Sequence, residues 1–205
     1  MKGRRYKMDS PLCWMLGLML PLHVCAYPNG KVQSACSSMT PEHGVTAQTS
    51  PAPFNITVNQ TVYTPGDKII VKIVSSSIPI EGFLLQARTA ANGKSPLGSF
   101  EITGENMQTL NCTTANSAVS HTSDAEKPVV EVIWNAPSKS AGDIKMRATV
   151  VANKTIFWVD IEGPKLTYQL SVASGIMGPT LGTHIFCNLL AISVFKIPFL
   201  ELLNV

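Results

Sequence analysis

Polar and apolar residues alternate with a period of two through the middle of the chain. Ile144, Met146, Ala148 and Val150 are interleaved with Lys145, Arg147 and Thr149, the pattern of a strand with one buried face. Residues 68–74 form a β-branched run after Thr64-Pro65-Gly66-Asp67, a good turn sequence. Residues 82–88 are a second apolar run, ended by Asn92-Gly93, and 98–103 are a shorter one. Residues 129–134 stop at Asn135-Ala136-Pro137, and 154–161 and 166–172 complete the set. Between 27 and 171 no segment sustains a 3.6-residue apolar period. About seven or eight short strands with Pro/Gly punctuation predict an all-β antiparallel sandwich rather than alternating βαβ units. Trp134 and Trp158 are the expected large core residues.

The ends of the chain have a different texture. Residues 1–26 have a basic start, an apolar stretch from Leu12 to about Leu22, and the small-residue site Val24-Cys25-Ala26. That is the pattern of a secretory signal peptide, with the mature chain starting at Tyr27 and an uncleaved signal anchor as the rival reading. Residues 176–195 carry no Asp, Glu, Lys or Arg, but they include Pro179, His184 and Asn188. The tail, 172–205, has three readings: a weak transmembrane segment, a lipid-anchor signal with Ser171, Ala173, Ser174 or Gly175 as attachment points, or an alternative end of a longer chain. The third fits best, because the segment is a poor example of the other two. Membrane attachment, if any, falls to residues 173–205.

Secretion changes how the cysteines are read. Cys13 and Cys25 leave with the leader, so Cys36, Cys112 and Cys187 remain. Cys36 and Cys112 lie in the polar, strand-rich region and Cys187 in the apolar tail, so Cys36 is expected to pair with Cys112. Cys187 is then free, intermolecular or removed. Four Asn-x-Ser/Thr sequons, at Asn55, Asn59, Asn111 and Asn153, agree with an extracellular location. Asn111 is the least favourable of them, since its neighbour Cys112 is the expected disulfide partner.

Charge narrows the function further. The formal charge of +3 arises within residues 1–26, and beyond them twelve basic residues face twelve acidic ones. A basic face for nucleic acid is therefore not expected. No Gly-x-Ser-x-Gly, no His-Glu-x-x-His and no Gly-rich phosphate loop occurs, so no catalytic residue, cofactor or metal is assigned. Cys36 with His43 and Cys112 with His121 have the residue types of a metal site, but a disulfide would remove both sulfurs as ligands. His43 with His121 alone is a thin basis for a metal or haem edge.

Several separated motifs then fall into a known order. Tyr27-Pro28-Asn29-Gly30-Lys31-Val32, Cys36 and Met39-Thr40-Pro41-Glu42-His43-Gly44 are followed by Tyr63-Thr64-Pro65-Gly66-Asp67 and Gly82-Phe83-Leu84-Leu85-Gln86-Ala87-Arg88. Gly98-Ser99-Phe100, Cys112, Ala118-Val119-Ser120-His121, Trp134-Asn135-Ala136-Pro137, Ala148-Thr149-Val150-Val151 and Phe157-Trp158-Val159 continue the series. The region from 27 to about 163 resembles a reeler (reelin-type) domain, as found at the N-terminus of ferric-chelate reductases and in small insect defence proteins of the haemolymph. The resemblance implies an immunoglobulin-like β-sandwich over 27–171 and supports the Cys36–Cys112 bridge. It also implies that iron reduction resides in DOMON and cytochrome b-type domains, which nothing after residue 172 resembles. The expected function is a non-catalytic extracellular binding module with a protein or glycan partner. A short form or fragment of a transmembrane ferric-chelate reductase and an innate-defence protein are the alternatives.

Overall fold

The computed structural model describes residues 28–170 except Asn92. The expected leader (1–26) and tail (172–205), with Cys13, Cys25, His184 and Cys187, lie outside the described residues. After a 3-10 turn at Gln33–Ala35 come β1 (Phe54–Val58), β2 (Val62–Tyr63), β3 (Lys68–Ser75), β4 (Gly82–Thr89) and β5 (Ser99–Ile102). Then follow β6 (Met107–Leu110), β7 (Ala118–His121), β8 (Val129–Asn135), β9 (Ile144–Asn153) and β10 (Ile156–Tyr168). The result is an immunoglobulin-like β-sandwich. One sheet has the order β1-β3-β8-β5, the other β2-β10-β9-β4-β7-β6.

The alternation read from the sequence sets the register. In β3 Ile69, Val71 and Ile73 point inward, while Lys68, Ile70, Lys72 and Val74 point outward. β8 matches it with Val130, Val132 and Trp134 inside. From the other sheet Phe83, Leu85, Ala87, Met146, Ala148 and Val150 join the same core. Trp134 is fully buried, stands edge-on to Tyr63 at 5.7 Å and donates its indole N–H to Leu97 O at 3.0 Å. Trp158 packs edge-on against Phe54 at 5.5 Å and donates to Ser50 O. Both tryptophans are thus core residues whose single polar atom is satisfied, as buried indoles require.

Three features differ from the sequence expectation. The strands β1, β2, β6 and β7 are additional. The pairing of β2 with β10 is parallel, within an otherwise antiparallel pattern. The two runs expected at 154–161 and 166–172 are joined in one strand, β10, which spans Ile156–Tyr168 and is interrupted by register shifts. Pro164, which has no N–H to give, sits in one of these shifts, where a ladder bond is absent anyway. Asp160 sits in another, with φ at 60°, and the bulge turns its carboxylate onto Arg147.

Trp134→Ala should lower stability by about 3–5 kcal/mol, because it empties the centre of a close-packed interior. A shift in the denaturant midpoint at unchanged slope measures this. A loss below 1 kcal/mol would contradict the placement of Trp134.

Candidate functional site

β4 is buried along both of its faces, which is unusual for a sandwich strand. Phe83, Leu85 and Ala87 face the core, and Leu84, Gln86 and Arg88 face the other way, yet Gln86 is 0% and Arg88 5% exposed. The cover is the chain N-terminal to β1. Met39 packs with Leu84, Leu110 and Ala118, and Val32, Ala35, Cys112 and Val159 close this second, smaller core.

The polar groups under the cover are matched one by one. Arg88 Nη2 donates to Cys36 O at 2.7 Å and to Ser37 O at 3.1 Å. Arg88 Nε donates to Gln86 Oε1 at 2.8 Å, and Gln86 Nε2 donates to Cys36 O at 3.0 Å. Thr149 Oγ1 donates to Met39 O from the neighbouring strand. Burial holds the Arg88 guanidinium below its ordinary pKa, the nearby Arg147 cation adds to this, and Asp160 opposes it. Arg147, directly across from Gln86 on β9, is itself held by Asp160 at 2.9 Å and by Glu162 at 2.9 Å.

A covalent bond completes the clamp. Cys36 and Cys112 form a disulfide with a Cα–Cα distance of 5.5 Å, the pairing expected from the sequence. Cys112 is positioned by the buried Ser117 hydroxyl, which accepts the backbone N–H groups of Cys112, Thr113 and Thr114 and donates to Thr114 O. At the other end of the segment Gly30 lies against the β7 backbone. A Cβ there would come within 1.8 Å of His121 O, and φ is +62°, so only glycine fits.

Where the segment leaves the sheet it opens a cleft of about 110 Å³. Met39, Leu84 and Val151 give it an apolar floor, and Glu42, Glu81, Asp124 and Lys154 a charged rim. His43 and His121, far apart in sequence, both line it. His43 rests edge-on against Phe157 at 5.4 Å, and its Nδ1 is buried without a hydrogen-bond partner. His121 Nδ1 lies 3.1 Å from the Phe83 backbone N and 3.3 Å from both Phe83 O and Ser120 Oγ. Lys127 is buried behind the rim and donates to the carbonyls of Glu81, Ser123 and Ala125, which holds the Asp124 loop in place. Burial lowers the Lys127 pKa, with Asp124 and Glu81 opposing. Among the described residues no group of three or more His, Cys, Asp or Glu is placed to hold a metal ion, and both sulfurs are in the disulfide.

Comparison with known proteins agrees with this architecture. The family model for the Reeler domain matches residues 34–174. The chain belongs to the reeler family. It is 47% identical to a Xenopus laevis protein named as a ferric-chelate reductase 1, over 73% of this chain and 26% of that one. Bos taurus ferric-chelate reductase 1 is 42% identical, over 78% and 28% respectively. The chain therefore spans about a quarter of the length of these relatives. A Bombyx mori protein named for defense is 35% identical over 67% of this chain and 82% of that one. The crystal structure of the Reelin-N domain of F-spondin shares the fold, with a TM-score of 0.53 at 22% identity, covering 69% of this chain and all of that one.

Of the residues singled out in the sequence, Cys36 and Cys112 are brought together and His43 and His121 share the cleft. The sequon residues Asn55, Asn59, Asn111 and Asn153 are distributed elsewhere. Gln86, Arg88 and Thr149 were missed, since polar side chains at alternate positions of a strand read as solvent-facing. The available signal was the apolar residue on both sides of the pleat, Phe83 next to Leu84.

Two outcomes follow, one from the clamp and one from the ion pairs of β9 and β10. Arg88→Leu keeps apolar bulk but strips donors from three buried acceptors, and should cost about 2–4 kcal/mol. The same variant should speed proteolysis within residues 28–45, and an unchanged digestion rate would argue against the clamp. The second outcome concerns acid. Lys145 lowers the Glu162 pKa through a hydrogen bond, and Lys165 does the same for Asp143. Both contributions are in full above the ordinary carboxylate values, 4.5 for Glu162 and 3.8 for Asp143, and disappear as pH falls through the lowered ones. Thermal melts of Lys145→Met should accordingly show a weaker dependence on pH in that acid window than the parent protein.

Proposed function

We propose that the chain is a non-catalytic extracellular module, secreted or held at a membrane surface, that binds a protein or glycan at the cleft beside the N-terminal clamp. The observation that carries this reading is the cleft itself. A concave apolar floor with a few convergent polar groups is the usual form of a binding site. Here one wall, the segment 28–43, is fixed to the β6–β7 connection by a disulfide and to β4, part of the other wall, by hydrogen bonds from Arg88 and Gln86. Preorganised walls reduce the ordering cost of binding. The disulfide supports an oxidising compartment.

Iron reduction is not part of this reading. The named reductases extend to about four times the matched length, and a short form of such a protein would leave the redox step to segments beyond residues 28–170. A defence role has one specific observation in its favour: in the Bombyx mori relative the matched region makes up 82% of the protein. A reeler domain there forms nearly the whole molecule.

The test uses the oxidised full chain from a secretory host against a glycan array and whole bacterial cells. Glu42→Lys and Asp124→Lys alter the exposed rim without touching the core. Each should weaken binding of any ligand found by roughly tenfold, mostly through electrostatic complementarity. Equal binding by both variants would remove the cleft as the site. A b-type haem absorption band in the purified chain would overturn the non-catalytic assignment.

A further inference from the structure

The outer face of the four-stranded sheet, opposite the clamp, is built in rows. Asn55, Val74 and Val129 are successive cross-strand neighbours on β1, β3 and β8. The next row is Thr57, Lys72 and Glu131, where the lysine and glutamate pair at 2.6 Å. The third contains Ile70, Ile133 and Glu101. Beyond the end of β1, Asn59 extends this third row: its N–H donates to Ile70 O, and its Oδ1 accepts the Ile70 N–H at 2.8 Å. Two aliphatic rows thus lie open on the surface, with Val74 38%, Val129 45% and Ile70 36% exposed. Each row ends, on the side of β1, in the asparagine of a sequon. Thr57, which completes the first sequon, is also exposed.

We propose that N-linked glycans on Asn55 and Asn59 cover these two aliphatic rows and the β1 edge of the sheet. The inference rests on the extracellular reading above. In the transfer, the asparagine Nδ2 attacks C1 of the reducing sugar of a polyprenyl-diphosphate-linked oligosaccharide. The new N–C1 bond replaces the C1–O bond, the polyprenyl diphosphate leaves, and one amide proton passes to a base of the transferase. Both products fit the folded domain. Asn55 has an exposed side chain, and Asn59 uses only Oδ1 in its bond to Ile70, so a substituted Nδ2 keeps that bond. Edge strands and exposed aliphatic rows favour self-association, and a bulky hydrated group at the edge opposes it. Sugar at Asn153 would not act on these rows. That residue sits in the β9–β10 turn, where its Oδ1 accepts from Thr155 and Ile156. Ligand contact then belongs to the clamp side of the sandwich.

The full chain is expressed in a mammalian secretory host, and site occupancy is read by glycopeptide mass spectrometry. The folded protein is then treated with peptide-N-glycosidase, which avoids any folding defect of Asn55→Gln or Asn59→Gln. Majority occupancy at both sites is expected. Removal of the sugars should raise 1-anilinonaphthalene-8-sulfonate fluorescence several-fold and produce concentration-dependent self-association by sedimentation. Ile70→Thr with Val74→Thr should suppress both changes, and Asn153→Gln should produce neither. Secreted, disulfide-bonded protein with bare Asn55 and Asn59 overturns the inference alone. Occupied sites whose removal changes neither readout overturn the shielding. Retention in the cytosol with reduced Cys36 and Cys112 overturns the extracellular reading, and this inference with it.

Discussion

Burying an arginine on the face of a sheet leaves a fork of N–H donors to satisfy, and Arg88 directs its donors to two carbonyls of the N-terminal segment and to Gln86. That arrangement can exist only while the segment lies on β4, and the segment stays there because the same residues are tied to Cys112. The two halves are interdependent. Without the bridge, Arg88 would have to keep the cover in place through hydrogen bonds that water can replace. Without Arg88 and Gln86, the bridged segment would lie on the sheet with the carbonyl oxygens of Cys36 and Ser37 unsatisfied. The small core of Met39, Leu84, Leu110 and Ala118, and the cleft beside it, follow from this pairing of covalent and polar constraints.

The surface ion pairs play a lesser part. Lys68–Glu101, Lys72–Glu131 and Lys165–Asp143 are all well exposed, and exposed pairs contribute little to stability. Their value is in register: Lys72–Glu131 joins the adjacent strands β3 and β8, Lys68–Glu101 reaches from β3 across β8 to β5, and Lys165–Asp143 ties β10 to the residue before β9, where a slip would turn aliphatic side chains outward. Arg147 is different. Its side chain is 8% exposed between Asp160 and Glu162, so the bulge that delivers Asp160 is part of how the outer face of the six-stranded sheet accommodates a second buried cation.

Much of the sandwich was legible in the sequence, and the reasons are local. Residues 144–150 alternate without a break, and the turn at 64–67 announces β3, so period and punctuation suffice. Phe54, Ile56 and Val58 alternate as well, but that stretch holds one sequon and runs straight into a second, and polar Asn and Thr at the outward positions masked the strand. β6 and β7, four residues each, are too short for a period to show. β10 looked like two strands because Gly163-Pro164 normally ends one. The disulfide was readable from cysteine placement. The cleft was not, since His43 and His121 meet only after the segment has folded back across the sheet. The burial of Gln86 and Arg88 likewise depends on a covering segment about fifty residues earlier in the chain.

The position of the bridge also decides how the domain bears load. Cys36 lies close to the start of the described chain, and Cys112 follows at a sequence separation of 76. Tension between the two ends of the domain crosses the sulfur–sulfur bond and bypasses everything between those cysteines, including β1 to β6. If the sandwich is pulled apart, roughly 250 Å of backbone stays locked in the loop. Only a reductant releases that hidden length, so the domain's extensibility under force is set by the redox state of its surroundings.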